Sequence, residues 1–336
     1  MSAGRRVHRS VVVAALIAAV LVPRSAAAYL NLSVDLRGQT VRLRWASTPV
    51  RWFASNRGAP GVSASDFQSA AARAFSTWQA VPTASLSFQF VGFTSASAFD
   101  DDGTPTLGFE NRPDLERVLG ATGFVLDIVT GEIVESDIFF NSAFTWSVAA
   151  SGNPTAFDVQ SVATHEIGHF LGLGHSALGE TEPRADGGRR VLASGAVMFP
   201  ISFGRGNTAD RELQPDDIAG ISELYPSSTF RARTGVLRGR VLRGGRPVFG
   251  AHVIAFNPAT GQSIAGFALG DDGSFQIAGL SPGPHVIRVE PLDDADAESF
   301  FDGSVDANFS VTFYDRLFVA PKGGAGEQVD ITVRPK

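Results

Sequence analysis

The 336-residue chain has no cysteine. That excludes disulfides, thiolate metal ligands, a catalytic thiol and a lipidated N-terminal cysteine together, so any metal site must use His, Asp or Glu. Lysine is nearly absent, at positions 322 and 336 only, and arginine carries most of the positive charge. Lys+Arg 28 against Asp+Glu 34 leaves a net charge of −6, and no basic field exists to attract nucleic-acid phosphates. A nucleic-acid partner is therefore not expected. Long apolar runs are also missing. The N-terminal run Val11 to Val22 is shorter than the ~20 residues needed to span a bilayer and stops at Pro23-Arg24. It follows three arginines in Arg5 to Arg9 and precedes Ala26-Ala27-Ala28, the order of a cleaved secretory signal rather than a membrane anchor. We expect residues 1–28 to be removed on export by the general secretory route, leaving a secreted chain without an anchor. A cysteine-free exported protein fits a bacterial source.

What is present supports two folded domains. Hydrophobic residues make up 44% of the chain, aromatics 10% and charged residues 18%, enough apolar surface for substantial cores. Strand-like alternation over Val50 to Ser55 precedes Ser63 to Trp78, where Phe67, Ala70, Ala71, Ala74, Phe75 and Trp78 fall at helical spacing. Ser85 to Phe93 reads as a strand, Ser95 to Thr106 as a loop, and Ala121 to Ile128 with Glu132 to Phe140 as a hairpin around Thr130-Gly131. Asp158 suits the N-cap of a helix from Val159 to about Leu171, with Gly172 as its stop. Another helix is expected over Pro215 to Leu224. Beyond Tyr225-Pro226 the polar stretch 227–234 reads as a linker. After it come only short alternating runs cut by Gly, Pro and Asp: Val236 to Leu242, Ala251 to Phe256, Ser274 to Ile277, His285 to Glu290 and Gln328 to Val333. That is the pattern of a small β-sandwich over 235–336.

Chemistry concentrates in His165-Glu166-Ile167-Gly168-His169-Phe170-Leu171-Gly172-Leu173-Gly174-His175. On a helix, His165 and His169 project from one face a turn apart and can chelate one zinc ion. Glu166 lies beside the first ligand, where its carboxylate can take a proton from water at the open metal position. A continuing helix would carry His175 about 9 Å further along the axis, out of reach. The chain must turn, and Gly172 permits it, so that His175 completes a three-His site. The other reading is three unrelated histidines. With six His in the chain, the five specified positions coincide by chance on the order of once in 10⁵ such sequences.

HEIGHFLGLGHS resembles the zinc signature of the metzincin metalloproteases and, with Ser176 after the third His, of the matrixins. Val197-Met198-Phe199-Pro200 is similar to the Met-turn, which would place Met198 beneath the ligands as an apolar floor. Gln214 to Tyr225 is similar to the family's closing helix, where Asp216 and Asp217 would tie that helix to the Met-turn region. The resemblance covers about residues 40–226, loosely before residue 146. It implies an α+β catalytic domain over 29–226, a twisted five-stranded mixed sheet with an active-site helix, followed by the all-β sandwich domain. It also implies a zinc endopeptidase acting on proteins or peptides. Extended substrate would pair with an edge strand, here Gly120, Ala121, Thr122, Gly123 and Phe124. The specificity pocket would be walled by the segment from Pro200 and Ile201 to Gly204, with Ser161 near its floor.

Departures from that family matter too. Without cysteine, latency through a cysteine-bearing propeptide is excluded, and with no His between Tyr29 and Thr164 a second, structural zinc is not expected. Asp100, Asp101, Asp102 and Asp127 offer hard oxygen ligands for calcium; the equal alternative is a solvated acidic loop. His252 and His285 lack partners at ligand spacing and read as packing or surface residues, and Trp45, Trp52, Trp78 and Trp146 as core. Short turn motifs at Gly235 to Arg240, Gly250 to Val253, Asp271 to Phe275 and Gly279 to Gly283 resemble carboxypeptidase regulatory-like domains. Such a domain could bind a substrate, surface or matrix, or only stabilise the enzyme. The competing function is surface adhesion on a catalytically silent metzincin fold, against which Glu166 argues.

Overall fold

The computed structural model describes residues 31–36, 39–185, 189–202, 204–292 and 305–336; the expected export signal lies outside the described residues. Through the first two thirds of the chain run β1 (Ser33–Leu36), β2 (Gln39–Arg42), β3 (Arg44–Trp45), β4 (Val50–Ser55), α1 (Ala64–Gln79), β5 (Phe88–Thr94), β6 (Thr106–Glu110), β7 (Gly120–Leu126), β8 (Glu132–Asn141), β9 (Trp146–Ser147), β10 (Phe157–Asp158), α2 (Val159–Phe170), β11 (Gly179–Pro183), β12 (Arg189–Ser194) and α3 (Pro215–Leu224).

Ser63 starts α1 by accepting the Asp66 N–H on its side chain, and the helix buries Phe67, Ala70, Ala71, Ala74, Phe75 and Trp78 along one face. This face covers a sheet in which β5, β4, β6 and β8 run parallel and β7 closes one side antiparallel to β8. Six strands take part rather than the expected five, because the two residues of β3 pair with Glu132 and Ile133 at the start of β8. The strand β6 begins at Thr106, the last residue of the stretch read as loop; its burial on both faces removes the alternation that marks a half-exposed strand.

Between sheet and helices lies an aromatic layer of Trp52, Phe67, Phe75, Trp78, Phe140, Trp146 and Phe170. Burying one such ring removes on the order of 150–250 Å², or about 4–6 kcal/mol as an upper bound at ~25 cal/mol/Å². A single net hydrogen bond is worth about 1 kcal/mol, so this layer dominates the placement of α2. The Trp78 indole N–H fixes the register by donating to the Thr164 carbonyl at 2.8 Å.

The rest of the chain holds α4 (Phe230–Arg233), β13 (Gly235–Arg243), β14 (Arg246–Pro247), β15 (His252–Phe256), β16 (Ser263–Phe267), β17 (Ser274–Leu280), β18 (Gly283–Glu290), β19 (Thr312–Phe313), β20 (Phe318–Ala320) and β21 (Gly324–Thr332). Strand β13 lies between β17 and β21, while β16, β15, β18, β19 and β20 form a second sheet. Leu237, Phe275 and Val329 from the first sheet and Val253, Ile287 and Phe318 from the second share one core. Ala219 of α3 enters that core. The segment expected as a linker carries α4, with Phe230 buried. His252 and His285 are both buried. His252 Nδ1 lies 3.1 Å from the Glu290 carboxylate, and His285 Nδ1–H donates to the Gly283 carbonyl at 3.0 Å.

Candidate metal centre

Helix α2 begins where Asp158, on the short strand β10, accepts the Ser161 N–H at 2.8 Å. The same carboxylate accepts the Ser161 hydroxyl and is held by the Arg211 guanidinium at 2.6 and 2.9 Å. Ser161 is thus buried and engaged within the helix cap.

The helix ends as its composition requires. Gly172 has φ +99°, and the N–H groups of Gly172 and Leu173 return to the carbonyls of His169 and Gly168, closing a Schellman turn. This turn is fastened from elsewhere in the chain. Leu32 N–H donates to the Gly172 carbonyl at 2.9 Å, the Trp45 indole to Phe170 at 2.8 Å, and the Tyr225 hydroxyl to Leu171 at 2.7 Å. The Trp45 N–H donates back to the Tyr225 hydroxyl at 3.0 Å.

Bringing the chain round places His175 against the helix. The Nε2 of His169 lies 3.1 Å from that of His165 and 3.2 Å from that of His175. His165 Nδ1 sits 2.8 Å from the Val197 carbonyl and His169 Nδ1 2.8 Å from the Leu173 carbonyl. A carbonyl oxygen only accepts, so both Nδ1 atoms carry the proton and both Nε2 atoms present bare lone pairs. Burial holds His165 below its ordinary range. His169 is pushed well down by burial first, then by its two histidine neighbours. Neutral imidazoles facing one another through lone pairs repel unless a cation sits between them. Tetrahedral zinc with Zn–N bonds of ~2.0–2.1 Å spaces its ligand atoms by about 3.4 Å, close to what the histidines show. Among the described residues this is the one group of three or more such side chains able to hold a metal ion.

Met198 is fully buried below this site. A Cβ on Gly168, between the first two ligands, would overlap Met198 Sδ and come 3.0 Å from Trp78 Cζ2. We therefore expect Gly168→Ala to cost about 1–3 kcal/mol, read as a lower urea midpoint. An unchanged midpoint would mean that the methionine floor is loose.

Glu166 is buried, and Thr122 of β7 donates its hydroxyl to Oε2 at 2.7 Å. Burial pushes the Glu166 carboxyl up to about 7, against the opposing pull of Thr122. Sequence reasoning placed Thr122 on a substrate edge and missed its role as partner of Glu166. At Gly120 a Cβ would lie 3.3 Å from Oε1, so the missing side chain keeps space open there. Among the described residues strand β7 pairs with β8 alone, which leaves its other edge without a strand partner along residues 120–126.

Asp216 and Asp217 separate in role. Asp217 accepts the N–H groups of Val197, Met198 and Gln214 at 2.8, 3.1 and 2.8 Å, fixing the carbonyl that orients His165. Asp216 does not reach the Met-turn, contrary to expectation. Its oxygens accept the Ser176 hydroxyl at 2.6 Å and the Ala265 N–H, on β16, at 2.8 Å.

The candidate calcium ligands do not converge as the histidines do. Asp127 accepts the N–H groups of Val129 and Thr130 in the hairpin turn. Asp100 and Asp102 accept those of Ser97 and Thr104, while Asp101 is exposed. The loop backbone is held instead by two buried carboxylates of β8. Glu135 takes Gly103 and Thr104, and Asp137 takes Phe99 and Thr106. Burial pushes Asp137 up to about 7. Pro200 and Ile201 follow the Met-turn, half-buried.

Comparison with known proteins agrees with this geometry. Residues 44–182 match the model of the Peptidase M10 family, Matrixin. Metalloendoproteinase 1-MMP of Arabidopsis thaliana is 31% identical over 172 residues, covering 49% of this chain and 39% of that protein. Human matrilysin is 34% identical over 89 residues, covering 26% of each. This chain thus spans well under half the length of these curated relatives. A putative carbohydrate binding protein from Bacteroides uniformis, a solved structure, aligns over 30% of this chain and 41% of its own with 16% identity and a TM-score of 0.21. The metal-capable histidines and the family match lead to one identification: residues 44–182 are a matrixin domain.

Proposed function

We propose that the chain is a secreted zinc endopeptidase, with His165, His169 and His175 as ligands and Glu166 as general base. The observation that carries this reading is the convergence of three Nε2 atoms beside a buried carboxylate, next to an open antiparallel edge. Zinc, when bound there, supplies Lewis-acid polarisation of a scissile carbonyl and acidifies a water. The chain does the rest. An extended peptide hydrogen-bonds along Gly120 to Phe124 of β7, with its next side chain between Ser161 and the segment at Pro200 and Ile201. Thr122 holds Oε2 of Glu166, leaving Oε1 to take the proton from the attacking water and return it to the leaving amine. Residues 29–226 form the catalytic domain, and residues 235–336 a β-sandwich of the carboxypeptidase regulatory-like kind.

The test is peptide-library cleavage by the purified protein with zinc, beside Glu166→Ala and a chelator-treated sample. Chelation should abolish cleavage. Glu166→Ala should lower it roughly 10²- to 10⁴-fold, the range for loss of a general base, while keeping one zinc per chain. A zinc-loaded, folded wild type that cuts no peptide would overturn the enzyme reading in favour of a binding role.

A further inference from the structure

We propose that the second domain is part of the metal centre: docked through the edge of β16, it holds Ser176 and thereby positions the third ligand, His175. This rests on the reading of the three histidines as zinc ligands. Strand β16 pairs with β15, and Ala265 turns its N–H away from that partner to Asp216 Oδ1 at 2.8 Å. The other oxygen of Asp216 accepts the Ser176 hydroxyl at 2.6 Å. Two hydrogen bonds and one peptide bond therefore link the second domain to His175, through a carboxylate only 1% exposed.

Apolar contacts reinforce the same segment. Leu178 and Ala196, on either side of the β11–β12 hairpin, pack with Ile254 and Ala265. Ala177 packs with Phe267, Leu269 and Leu292. On α3, Ala219 stands where a Cβ on Gly279, at φ +83°, would approach to 2.8 Å. Helix α2 carries His165 and His169, whereas His175 lies beyond the turn and meets the helix across 3.2 Å from His169 Nε2. Ala177, Leu178 and Ala196, which flank the β11–β12 hairpin, are packed against the second domain, and this packing orders the third donor before any metal arrives. Pre-ordering of this kind raises affinity by lowering the entropy lost on binding, and partners behind metal ligands typically change affinity 10- to 100-fold.

Ala265→Pro in the full chain removes the N–H and wedges a ring against Asp216, without altering a residue of the matrixin domain. Because this N–H faces away from β15, the sheet ladder is spared. Ser176→Ala cuts the link from the other side and decides the matter if the proline variant fails to fold. Val329→Ala, in the core on β21, is the control for general destabilisation. We expect Ala265→Pro and Ser176→Ala to weaken zinc binding roughly 10- to 100-fold in chelator competition. In the metal-free protein they should also speed amide hydrogen exchange over residues 175–198. Val329→Ala should lower the melting temperature and leave both readouts at the wild-type level. Wild-type exchange and zinc affinity in Ala265→Pro would overturn the coupling, as would an equal loss of zinc affinity in Val329→Ala. A wild type that binds no zinc would instead sink the metal reading, and exchange in the metal-free protein would still report whether the second domain orders the segment.

Discussion

Gly172→Ala should destabilise the protein by about 2–6 kcal/mol, the sum of a strained backbone and a steric overlap at a site with no room to relax. At φ +99° an L side chain is unfavourable in any surroundings. Here its Cβ would also overlap the Leu43 carbonyl oxygen. Leu43 cannot withdraw freely, since its N–H is committed to Leu32, whose own N–H donates to the Gly172 carbonyl. The effect reaches the candidate metal centre. The turn supplies the Leu173 carbonyl that orients His169 and directs the chain back to His175. Urea unfolding together with zinc competition checks this, and both must fall. A stability loss with zinc affinity unchanged would mean that the histidines reach the metal independently of the turn.

Asp217→Ala should cost at least about 3 kcal/mol, because it strands three backbone donors at roughly 1–3 kcal/mol for each one left buried. The donors are the N–H groups of Val197, Met198 and Gln214. Val197 matters most, because its carbonyl accepts from His165 Nδ1; release of the Met-turn frees the first ligand to rotate. Asp217→Asn should recover only part of the loss, since its NH₂ group would face donors where an oxygen is needed. Denaturant midpoints and zinc content of the two variants decide this. Equal stability of Asp217→Ala and wild type would show that water satisfies the stranded donors.

The parts of this design that could be read in the sequence are those set by local spacing. The buried face of α1, the Asp158 cap and the Gly172 stop depend on neighbours within one or two turns, and the structure has each in place. The histidine motif is legible for the same reason, since ligand spacing on a helix is a property of the helix. Strand β6 was hidden because burial on both faces removes its alternation. Glu135 and Asp137 fall within the expected hairpin arm with nothing to mark them, yet both are buried and hold the preceding loop. Nothing adjacent to either announces a partner some 30 residues away. Asp216 shows the limit most plainly. Its neighbour Asp217 serves the Met-turn, whereas Asp216 finds its partner 49 residues later on a strand of the other domain, and no periodicity encodes that pairing.

The fastening of the α2 turn by Leu32, Trp45 and Tyr225 sets an order of events in the making of the protein. All three histidines exist once residue 175 has been added, but Tyr225 comes 50 residues later, about 3–10 s at ~5–20 residues per second. Contacts this far apart in sequence form late, because long loops must close before they are rewarded. The nascent chain therefore carries its ligands before it has a turn stable enough to gather them. Metal-binding competence arrives with the completed fold, and the order of synthesis itself keeps the candidate metal centre unassembled until at least residue 225 has been added.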